Sequence, residues 1–265
     1  MVDTAHTDIL TFIPAFDEEE TVGDVVRAIR AELPESDLLV VDDGSSDDTA
    51  RRARRAGAVV APLPFNLGIG AAIHTGYQYA WRHGYRFCAH LDADGQHRPA
   101  DVRTLLEAVR SDDCDLAIGS RYHTPSTEEL AAGYHTSSYA PTFLRRLGTA
   151  LFRHALSFVT RHKFTDTTSG LRAANRAVIE QFADEYAGDY PELESLHRMV
   201  RHGLRVREIP VVMLPRAGGQ SKFNPFNATF FVFKGLMVVL VGVFRRDRTN
   251  REWRRQPPSE RSTRR

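Results

Sequence analysis

The chain has 265 residues, 42% of them hydrophobic and 26% charged, so it can bury a full core and suits one α/β domain with an appendage. Residues 245–265 hold nine arginines and three acidic residues, which leaves a mildly acidic body with a net charge of −5 and no expected nucleic-acid partner. Cys88 and Cys114 lie in or beside apolar runs without metal-ligand spacing, which favours reduced thiols of a cytosolic protein over a disulfide. No signal peptide is predicted before Ile9.

The first apolar run, Ile9 to Ile13, predicts a short strand. It ends in the acidic loop 14–20, beyond which the apolar residues from Val22 to Ile29 keep helical spacing. The same succession returns at Leu38 to Val41, whose run ends in the acidic loop 42–49 and continues into a helix rich in alanine and arginine. Either Asp47 or Ser46 can cap that helix.

A third short strand is predicted over Ala58 to Ala61, with a helix from about Ala71 to Arg82. Gly68 and Gly70 in the loop between them resemble part of a dinucleotide fingerprint. The third glycine position of that fingerprint is Ile73, however, and the motif lies in the third unit of the chain. This argues against a nicotinamide enzyme.

Two carboxylates, Asp92 and Asp94, follow the fourth predicted strand, Tyr85 to Leu91, and precede a helix that begins near Pro99. One intervening residue lets both side chains reach a single cation. Mg²⁺ or Mn²⁺ favours one or two carboxylates together with substrate phosphate oxygens. An acidic turn is the simpler interpretation of an isolated Asp-x-Asp, so the metal interpretation depends on the other motifs.

A fifth strand is predicted over Leu116 to Ile118. Strands that alternate with helices indicate a mostly parallel sheet with helices on both faces, whose ligands bind beyond the carboxyl ends of the strands. The acidic motifs all fall at those ends. There, Asp42 or Asp43 can accept a hydrogen bond from a base and Glu18 can hold ribose hydroxyls, although each of these residues can also serve as a helix cap or turn residue.

These stretches together resemble the inverting glycosyltransferases of family 2, which have the GT-A fold. The residues that carry the resemblance are PAFDEEE at 14–20, VVDDGSSDDT at 40–49, NLGIGAA at 66–72, LDADGQH at 91–97 and GSRY at 119–122. The branch that makes polyprenyl-phosphate sugars is indicated by DTTSGLR at 166–172, DYPELE at 189–194, EIPV at 208–211, RAGGQSK at 216–222 and FKG at 233–235. The match covers about residues 9–240, and Asp17 stands where the family usually has Asn.

The resemblance implies a donor site at the carboxyl edge of the sheet. Asp94 would hold Mg²⁺ or Mn²⁺ on the donor diphosphate, with Asp92 and Gln96 assisting directly or through water. The residues implied in binding the nucleotide are Pro14, Phe16, Glu18, Asp42, Asp43, Gly68 and Asp92. The sequence does not identify the sugar or whether the nucleotide is GDP or UDP.

The resemblance also places positive charge around a phosphorylated acceptor, supplied by Arg121, Arg216 and Lys222. Solvated loop charges are the alternative for each. A phosphate monoester is mostly dianionic at neutral pH, so it can attack without a general base. We therefore expect positioning roles for Asp166 and Glu194, the other acidic candidates for chemistry, although Asp166 can also cap a helix and Glu194 can also pair with an arginine.

Residues 1–222 are predicted to form the catalytic domain, residues 223–246 a hydrophobic membrane-associating helix, and residues 247–265 a basic, disordered tail. The apolar run from Phe226 to Phe244 is just long enough to span a bilayer, but Lys234 near its middle and the positive-inside rule oppose a span. We expect an interfacial helix at the cytoplasmic membrane face, where the tail arginines meet anionic lipids. A buried core helix remains an alternative, and a small membrane protein is a further candidate partner.

The predicted function is thus a metal-dependent transfer of sugar from a nucleotide to polyprenyl phosphate. Three alternatives stay open. One is a family 2 transferase with a hydroxyl acceptor, which would need a base such as Asp166 or Glu194. Another is a sugar-phosphate nucleotidyltransferase, which would need a basic, glycine-rich loop where PAFDEEE stands. The last is a non-catalytic nucleotide-binding scaffold.

Overall fold

A seven-stranded sheet forms the centre of the protein. The computed structural model describes residues 7–123, 125–127, 130, 150, 153–154, 157–158, 162–184, 186 and 191–215, with the backbone alone at 191–194. The strands are β1 (Ile9–Ala15), β2 (Asp37–Asp42), β3 (Val59–Pro62), β4 (Phe87–His90), β5 (Leu116–Ser120), β6 (Arg172–Asn175) and β7 (Val206–Pro210). The helices are α1 (Val22–Glu32), α2 (Thr49–Arg55), α3 (Ile69–Arg82), α4 (Pro99–Arg110), α5 (Arg176–Asp184) and α6 (Pro191–Arg201).

The strand order is β3-β2-β1-β4-β6-β5-β7, and the predicted, mostly parallel sheet is confirmed. The exception is β6, which runs antiparallel to both its neighbours, β4 and β5. No pattern in the sequence predicts this strand, because RAAN is short and its arginine is buried within the sheet. β3 lies one residue later than predicted and α3 begins two residues earlier.

Helices cover both faces of the sheet, as the alternating elements predict. One face of β1 presents Ile9 and Ile13 to the core formed with α1, α2 and α4. The other face presents Leu10 and Phe12 to the core formed with α3, α5 and α6. Every residue of β1 is buried, which explains why this strand is continuously apolar instead of alternating.

The predicted C-terminal helix at 223–246 and the tail at 247–265 lie outside the described residues. Among the helices that the structure does describe, none is long and apolar enough to cross a membrane.

Candidate active site at the carboxyl edge of the sheet

All the motifs singled out in the described chain meet at one edge of the sheet. The loops after β1, β2 and β4 leave the sheet there, and β6, because it is antiparallel, begins there. His90 at the end of β4 lies beside Arg172 at the start of β6. The edge therefore presents the predicted nucleotide loops on one side, the Asp92/Asp94 pair in the centre, and the stretch 164–171 on the other side.

Reciprocal hydrogen bonds join the loops after β1 and β2. The Asp17 carboxylate accepts the Ser46 amide at 2.9 Å, and the Glu19 carboxylate accepts the Asp48 amide at 3.2 Å. In the other direction, the Glu19 amide donates to the Asp47 carboxylate at 3.1 Å. We call the two stretches 15–20 and 42–49 the acidic loops, since each uses the carboxylates of the other to satisfy its backbone.

Glu18 takes part in this joint through its backbone. Its amide donates to the Thr49 hydroxyl at 2.8 Å, while its carboxylate accepts the Thr21 hydroxyl at 3.0 Å. The predicted caps of α2, Asp47 and Ser46, are both wrong, because the N-cap residue is Asp48 and it makes no side-chain capping bond. Asp47 instead accepts the amide of Thr49, the first helical residue, at 2.9 Å. Burial raises the pKa of Asp47, but the bonds from Thr49 and from the Glu19 amide outweigh it and the net shift is downward.

Asp42 and Asp43 are both buried but have different hydrogen-bond partners. The two oxygens of Asp43 accept the Leu67 and Gly68 amides at 2.8 and 2.9 Å, which fixes the loop that leads into α3. Gly68 has a φ of +94°, a conformation that other residues rarely adopt. Asp42 accepts the Ser45 amide through one oxygen at 3.1 Å. The arrangement favours Asp42 over Asp43 as the residue that meets a ligand.

Other residues implied in nucleotide binding line the same corner. Pro14 is buried in β1 beside Val41, and Phe16 follows the strand half-buried. Asp17 has a φ of +52°, which Asp and Asn tolerate better than other residues with side chains. The departure from the family's usual Asn therefore keeps the backbone conformation that this loop requires.

The Asp92 side chain is 42% exposed, whereas Asp94 is buried. One Asp92 oxygen lies 3.7 Å from the Nε2 atom of His97. Burial raises the pKa of Asp92, while the neighbouring His97 and the charge of Arg121 lower it, and the net shift is downward. Asp92 is therefore ionised at neutral pH, as a ligand for a cation must be.

This donor set fits Mg²⁺ or Mn²⁺ that takes its remaining ligands from phosphate and water. Asp94 accepts the Gln96 amide at 3.0 Å, which folds the turn so that both carboxylates follow the same strand end. Within the described ranges there is no group of three His, Cys, Asp or Glu side chains that would enclose a metal by protein ligands alone. The pair suits a cation delivered with a diphosphate.

Gln96 also ties the metal motif to the chain beyond β7. Its backbone carbonyl accepts the Leu214 amide at 2.8 Å, and its side-chain amide donates to the Leu214 carbonyl at 3.1 Å. His97 and Met213 form an isolated antiparallel bridge beside it. The side-chain nitrogen of Gln96 is thus engaged by Leu214, and the predicted metal role would have to use its amide oxygen.

Arg121 and Asp166 form a buried, two-pronged ion pair. The Arg121 Nε atom donates to Asp166 at 2.6 Å and its terminal nitrogen donates at 2.8 Å, with side-chain exposures of 5% and 0%. The Arg121 backbone amide and the Thr168 hydroxyl complete the arrangement. Burial raises the pKa of Asp166, but the hydrogen bonds and the charge of Arg121 lower it by more. The net shift of the pKa is downward, so the carboxylate is ionised.

This geometry corrects two sequence-based expectations. The alternative of Asp166 as a helix cap is wrong, because its carboxylate holds Arg121 and no helix begins there. The guanidinium of Arg121 is likewise turned to Asp166 and Thr168, so the structure does not present it as an exposed cation for a phosphate. The two residues are 45 positions apart, and nothing in that spacing indicates the pair.

Glu208 on β7 is a site residue that the sequence did not reveal. Its two oxygens accept the Thr165 and Asp166 amides at 2.7 and 2.6 Å, which clamps the start of the stretch 164–171. Burial raises the pKa of Glu208, and the hydrogen bonds from the two amides offset only part of that effect. A charged residue inside the EIPV strand was the available signal. Arg121, Asp166 and Glu208 are called the buried ion-pair cluster below.

A second buried arginine, Arg172, opens β6. It donates to the Ser169 carbonyl at 3.2 Å and to the Ser195 hydroxyl at 2.7 Å, which links the stretch 164–171 to α6. Burial, followed by the charge of Arg172, lowers the pKa of neighbouring His90 to about 3, so this imidazole is neutral. Glu194 belongs to the first turn of α6, but its side chain, like Arg216 and Lys222, lies outside the described residues.

Comparison with known proteins places this geometry among sugar-transferring enzymes. The family model "Glycosyl transferase family 2" matches residues 11–183. The polyprenol monophosphomannose synthase of Mycolicibacterium smegmatis is 31% identical over 85% of this chain and 84% of its own length. The undecaprenyl-phosphate mannosyltransferase of Micrococcus luteus is 31% identical over 82% of this chain and 87% of its own.

Solved structures share the fold. One is the glucosyl-3-phosphoglycerate synthase of Mycobacterium tuberculosis in complex with Mn²⁺, uridine diphosphate and phosphoglyceric acid. It aligns with a TM-score of 0.68 over 92% of this chain and 81% of its own, at 20% identity. At this identity the likeness shows a common fold and nothing finer.

Proposed function

Because this chain belongs to glycosyl transferase family 2 and is a glycosyltransferase, we propose that it moves a sugar from a nucleotide donor to polyprenyl phosphate, with inversion and with a divalent metal. The observation that carries the proposal is the Asp92/Asp94 pair, which lies beside two interlocked acidic loops at the carboxyl edge of the sheet. The names of the two relatives favour a mannosyl donor and a polyprenyl-phosphate acceptor.

On the donor side, the chain binds and orients. Asp42 would accept a hydrogen bond from the base, and Glu18 would hold ribose hydroxyls. Asp43 acts indirectly, since it fixes the Leu67 and Gly68 amides and so shapes the wall of the pocket. Fixed dipoles and charges of this kind need no rearrangement when the nucleotide leaves, which is how such sites lower a barrier.

The metal site would be formed by Asp94, with Asp92 and the amide oxygen of Gln96 assisting directly or through water. A bound Mg²⁺ or Mn²⁺ supplies Lewis-acid stabilisation of the charge that develops on the departing diphosphate. The crystal of a protein with the same fold contains Mn²⁺ together with a uridine nucleotide, which supports divalent metal use in general.

On the acceptor side, a phosphate monoester is already a nucleophile at neutral pH and needs alignment more than deprotonation. Arg216 and Lys222 are the cations proposed for it. Gln96 is joined by two hydrogen bonds to Leu214, near the end of the described chain that leads to them. Arg121 would have a positioning role, since its guanidinium holds Asp166.

Transfer to a hydroxyl acceptor is the competing function. One protein of the same fold was crystallised with phosphoglyceric acid, which carries a hydroxyl group. Such an acceptor needs a general base. Asp166 fits that role poorly, because its side chain is 0% exposed and both oxygens are engaged by Arg121. Glu194 is the remaining candidate base. A non-catalytic scaffold would have no need of the Asp92/Asp94 pair.

The deciding experiment is transfer of labelled sugar into the organic phase from GDP-mannose, UDP-glucose and UDP-N-acetylglucosamine, with polyprenyl phosphate and free polyprenol as matched acceptors. We expect transfer to the phosphate alone. Asp94→Asn and EDTA should each abolish it, while the thermal unfolding of Asp94→Asn stays close to that of the wild type. Transfer to free polyprenol, or full activity in EDTA, would refute the acceptor or the metal role.

The acceptor cations can be tested separately. Lys222→Ala and Arg216→Ala should raise KM for polyprenyl phosphate or lower kcat more than they weaken nucleotide binding. Arg86→Ala is the matched control, since Arg86 is an exposed cation at the opposite edge of the sheet, paired with Asp8. Equal losses of nucleotide affinity would place Lys222 and Arg216 at the donor instead.

We further propose that the enzyme associates peripherally with the cytoplasmic membrane face through residues 223–246 and the arginines of 247–265. Cys88 and Cys114 are both buried, so a cysteine introduced as Trp253→Cys would report its own accessibility. In sealed vesicles it should react with a membrane-impermeant thiol reagent only from the side that carries the catalytic domain. Labelling from the opposite side would establish a membrane span.

A further inference from the structure

Gly170 lies directly against the carboxylate of Asp92. A Cβ atom built on Gly170 would be 2.6 and 2.8 Å from the two oxygens of Asp92 and 3.0 Å from its carboxyl carbon. Real Cβ contacts are essentially never shorter than 3.0 Å, so any side chain at this position would displace the carboxylate. Because both oxygens are nearer than the carbon, the missing methyl group would stand in front of the oxygen end of Asp92.

The backbone at Gly170 gives no other reason for glycine. Its φ is outside the left-handed region, in which glycines such as Gly44 and Gly95 are found in this chain. The three heavy atoms nearest to a Cβ at position 170 all belong to Asp92, so an alanine there would first crowd this carboxylate. The glycine therefore leaves room for the carboxylate of Asp92.

The stretch that carries Gly170 is held rigidly at its start. Glu208 accepts the Thr165 and Asp166 amides, and the Asp166 carboxylate pairs with Arg121 inside the protein. Just after Gly170, the Leu171 carbonyl accepts the Gly119 amide at 2.9 Å. Gly170 is thus fixed on both sides and can act as a stop for a neighbouring side chain.

We propose that Gly170 is a positioning residue for the metal site: it sets the place of the Asp92 carboxylate, with the buried ion-pair cluster as its support. The inference rests on the proposed metal role of Asp92 and Asp94. Asp92 also has the Nε2 atom of His97 at 3.7 Å, and 42% of its side chain is exposed. Mg²⁺ demands near-ideal octahedral geometry, so a displaced carboxylate should weaken its binding.

The test measures Mn²⁺ binding without turnover, by electron paramagnetic resonance of free Mn²⁺ in the presence of GDP or UDP. Gly170→Ala should weaken Mn²⁺ binding about 10- to 100-fold, the range for residues that orient metal ligands. Gly57→Ala is the matched control, because Gly57 has a φ of +100° and its Cβ would meet the Arg30 guanidinium at 3.2 Å, just before β3 at the opposite edge of the sheet. It should lower the melting temperature without changing Mn²⁺ affinity.

A double-mutant cycle separates a carboxylate effect from general crowding. Asp92→Ala removes the group that collides with residue 170, so Gly170→Ala should have no further effect on binding or on melting temperature in that background. If Gly170→Ala alone fails to fold, the double variant should fold again. Misfolding of Gly170→Ala irrespective of residue 92 overturns the proposal.

The remaining outcomes are equally distinct. Unchanged Mn²⁺ binding in Gly170→Ala, with binding lost in Asp94→Asn, overturns the role of Gly170 and leaves the metal site standing. Unchanged binding in both Asp94→Asn and Asp92→Ala overturns the metal site itself, and with it this inference.

Discussion

The two sides of the active-site edge use carboxylates in opposite ways. In the acidic loops, Asp17, Glu19 and Asp47 lie at or near the surface and accept backbone amides of the facing loop. In the buried ion-pair cluster, Asp166 is inaccessible to solvent and its charge is matched by that of Arg121. The first arrangement shapes a pocket that a ligand enters. The second fixes the structure on which the pocket rests.

Two acidic motifs of similar appearance can therefore contribute very different amounts to the free energy of unfolding. When a substitution removes an exposed carboxylate, water can accept the backbone amide in its place, at a cost of about 1 kcal/mol. A buried charge that loses its partner leaves the other charge unsolvated, which typically costs about 3–5 kcal/mol. Substitutions on the two sides should therefore separate into effects on binding and effects on folding.

The largest effect on stability is expected for Asp166→Ala, which strands the buried charge of Arg121. We expect a loss of about 3–5 kcal/mol in the free energy of unfolding, measured by urea denaturation. Asp113→Ala, which breaks the exposed pair with Arg207, is the control and should cost about 0–1 kcal/mol. Similar losses in the two variants would erase the contrast between the two sides of the site.

The same pair gives a pH dependence with a definite sign. The pKa of Asp166 is lowered in the folded protein, so the pair contributes fully above the unfolded value of about 3.9. Its contribution is lost as the pH falls below that value and through the folded pKa. The difference in stability between the wild type and Asp166→Asn should therefore shrink below about pH 4. A difference that grows with acid would contradict the ion pair.

An intermediate effect is expected for Asp43→Ala, which releases the Leu67 and Gly68 amides. The loss of stability should be about 1–2 kcal/mol, because bonds to a charged group are lost but the loop can reach water. Hydrogen exchange at those two amides should accelerate, and affinity for GDP or UDP should fall. Asp42→Ala is the matched variant: it should weaken nucleotide binding without faster exchange at Leu67 and Gly68.

The smallest effect is expected for Asp17→Asn, because Asn tolerates a positive φ and its amide oxygen can still accept the Ser46 amide. The change in unfolding free energy should stay within about 0.5 kcal/mol. Asp17→Ala, which loses both advantages, should cost about 1 kcal/mol. Isothermal titration with GDP and UDP shows whether nucleotide binding follows the same order.

Much of the fold could be predicted from local pattern. Apolar runs and acidic strand ends predict the five strands from Ile9 to Ser120 and the helices between them. The structure confirms these elements to within a few residues. β6 could not be found in this way. A four-residue strand with a buried arginine has no periodicity, and only its neighbours β4 and β5 make it a strand.

The site residues also fall into those that local sequence pattern predicts and those that it does not. The N-cap of α2 is Asp48 and not the predicted Asp47 or Ser46, but Asp92 and Asp94 at a strand end follow from residue type and position. The partnership of Arg121 with Asp166, the clamp by Glu208 and the contact of Gly170 with Asp92 do not. Each joins residues more than 40 positions apart, and long-range pairs of this kind leave no periodic signal in a single sequence.

The antiparallel β6 has a consequence for how the protein is made. β4 and β5 follow each other along the chain, yet the place between them belongs to a strand that ends at Asn175. A chain emerging from the ribosome thus completes five strands and still has two unpaired edges in the middle of its sheet. Exposed edges of this kind invite pairing with other chains. Products cut short before residue 172 should aggregate, whereas loss of residues 247–265 leaves every strand of the sheet paired.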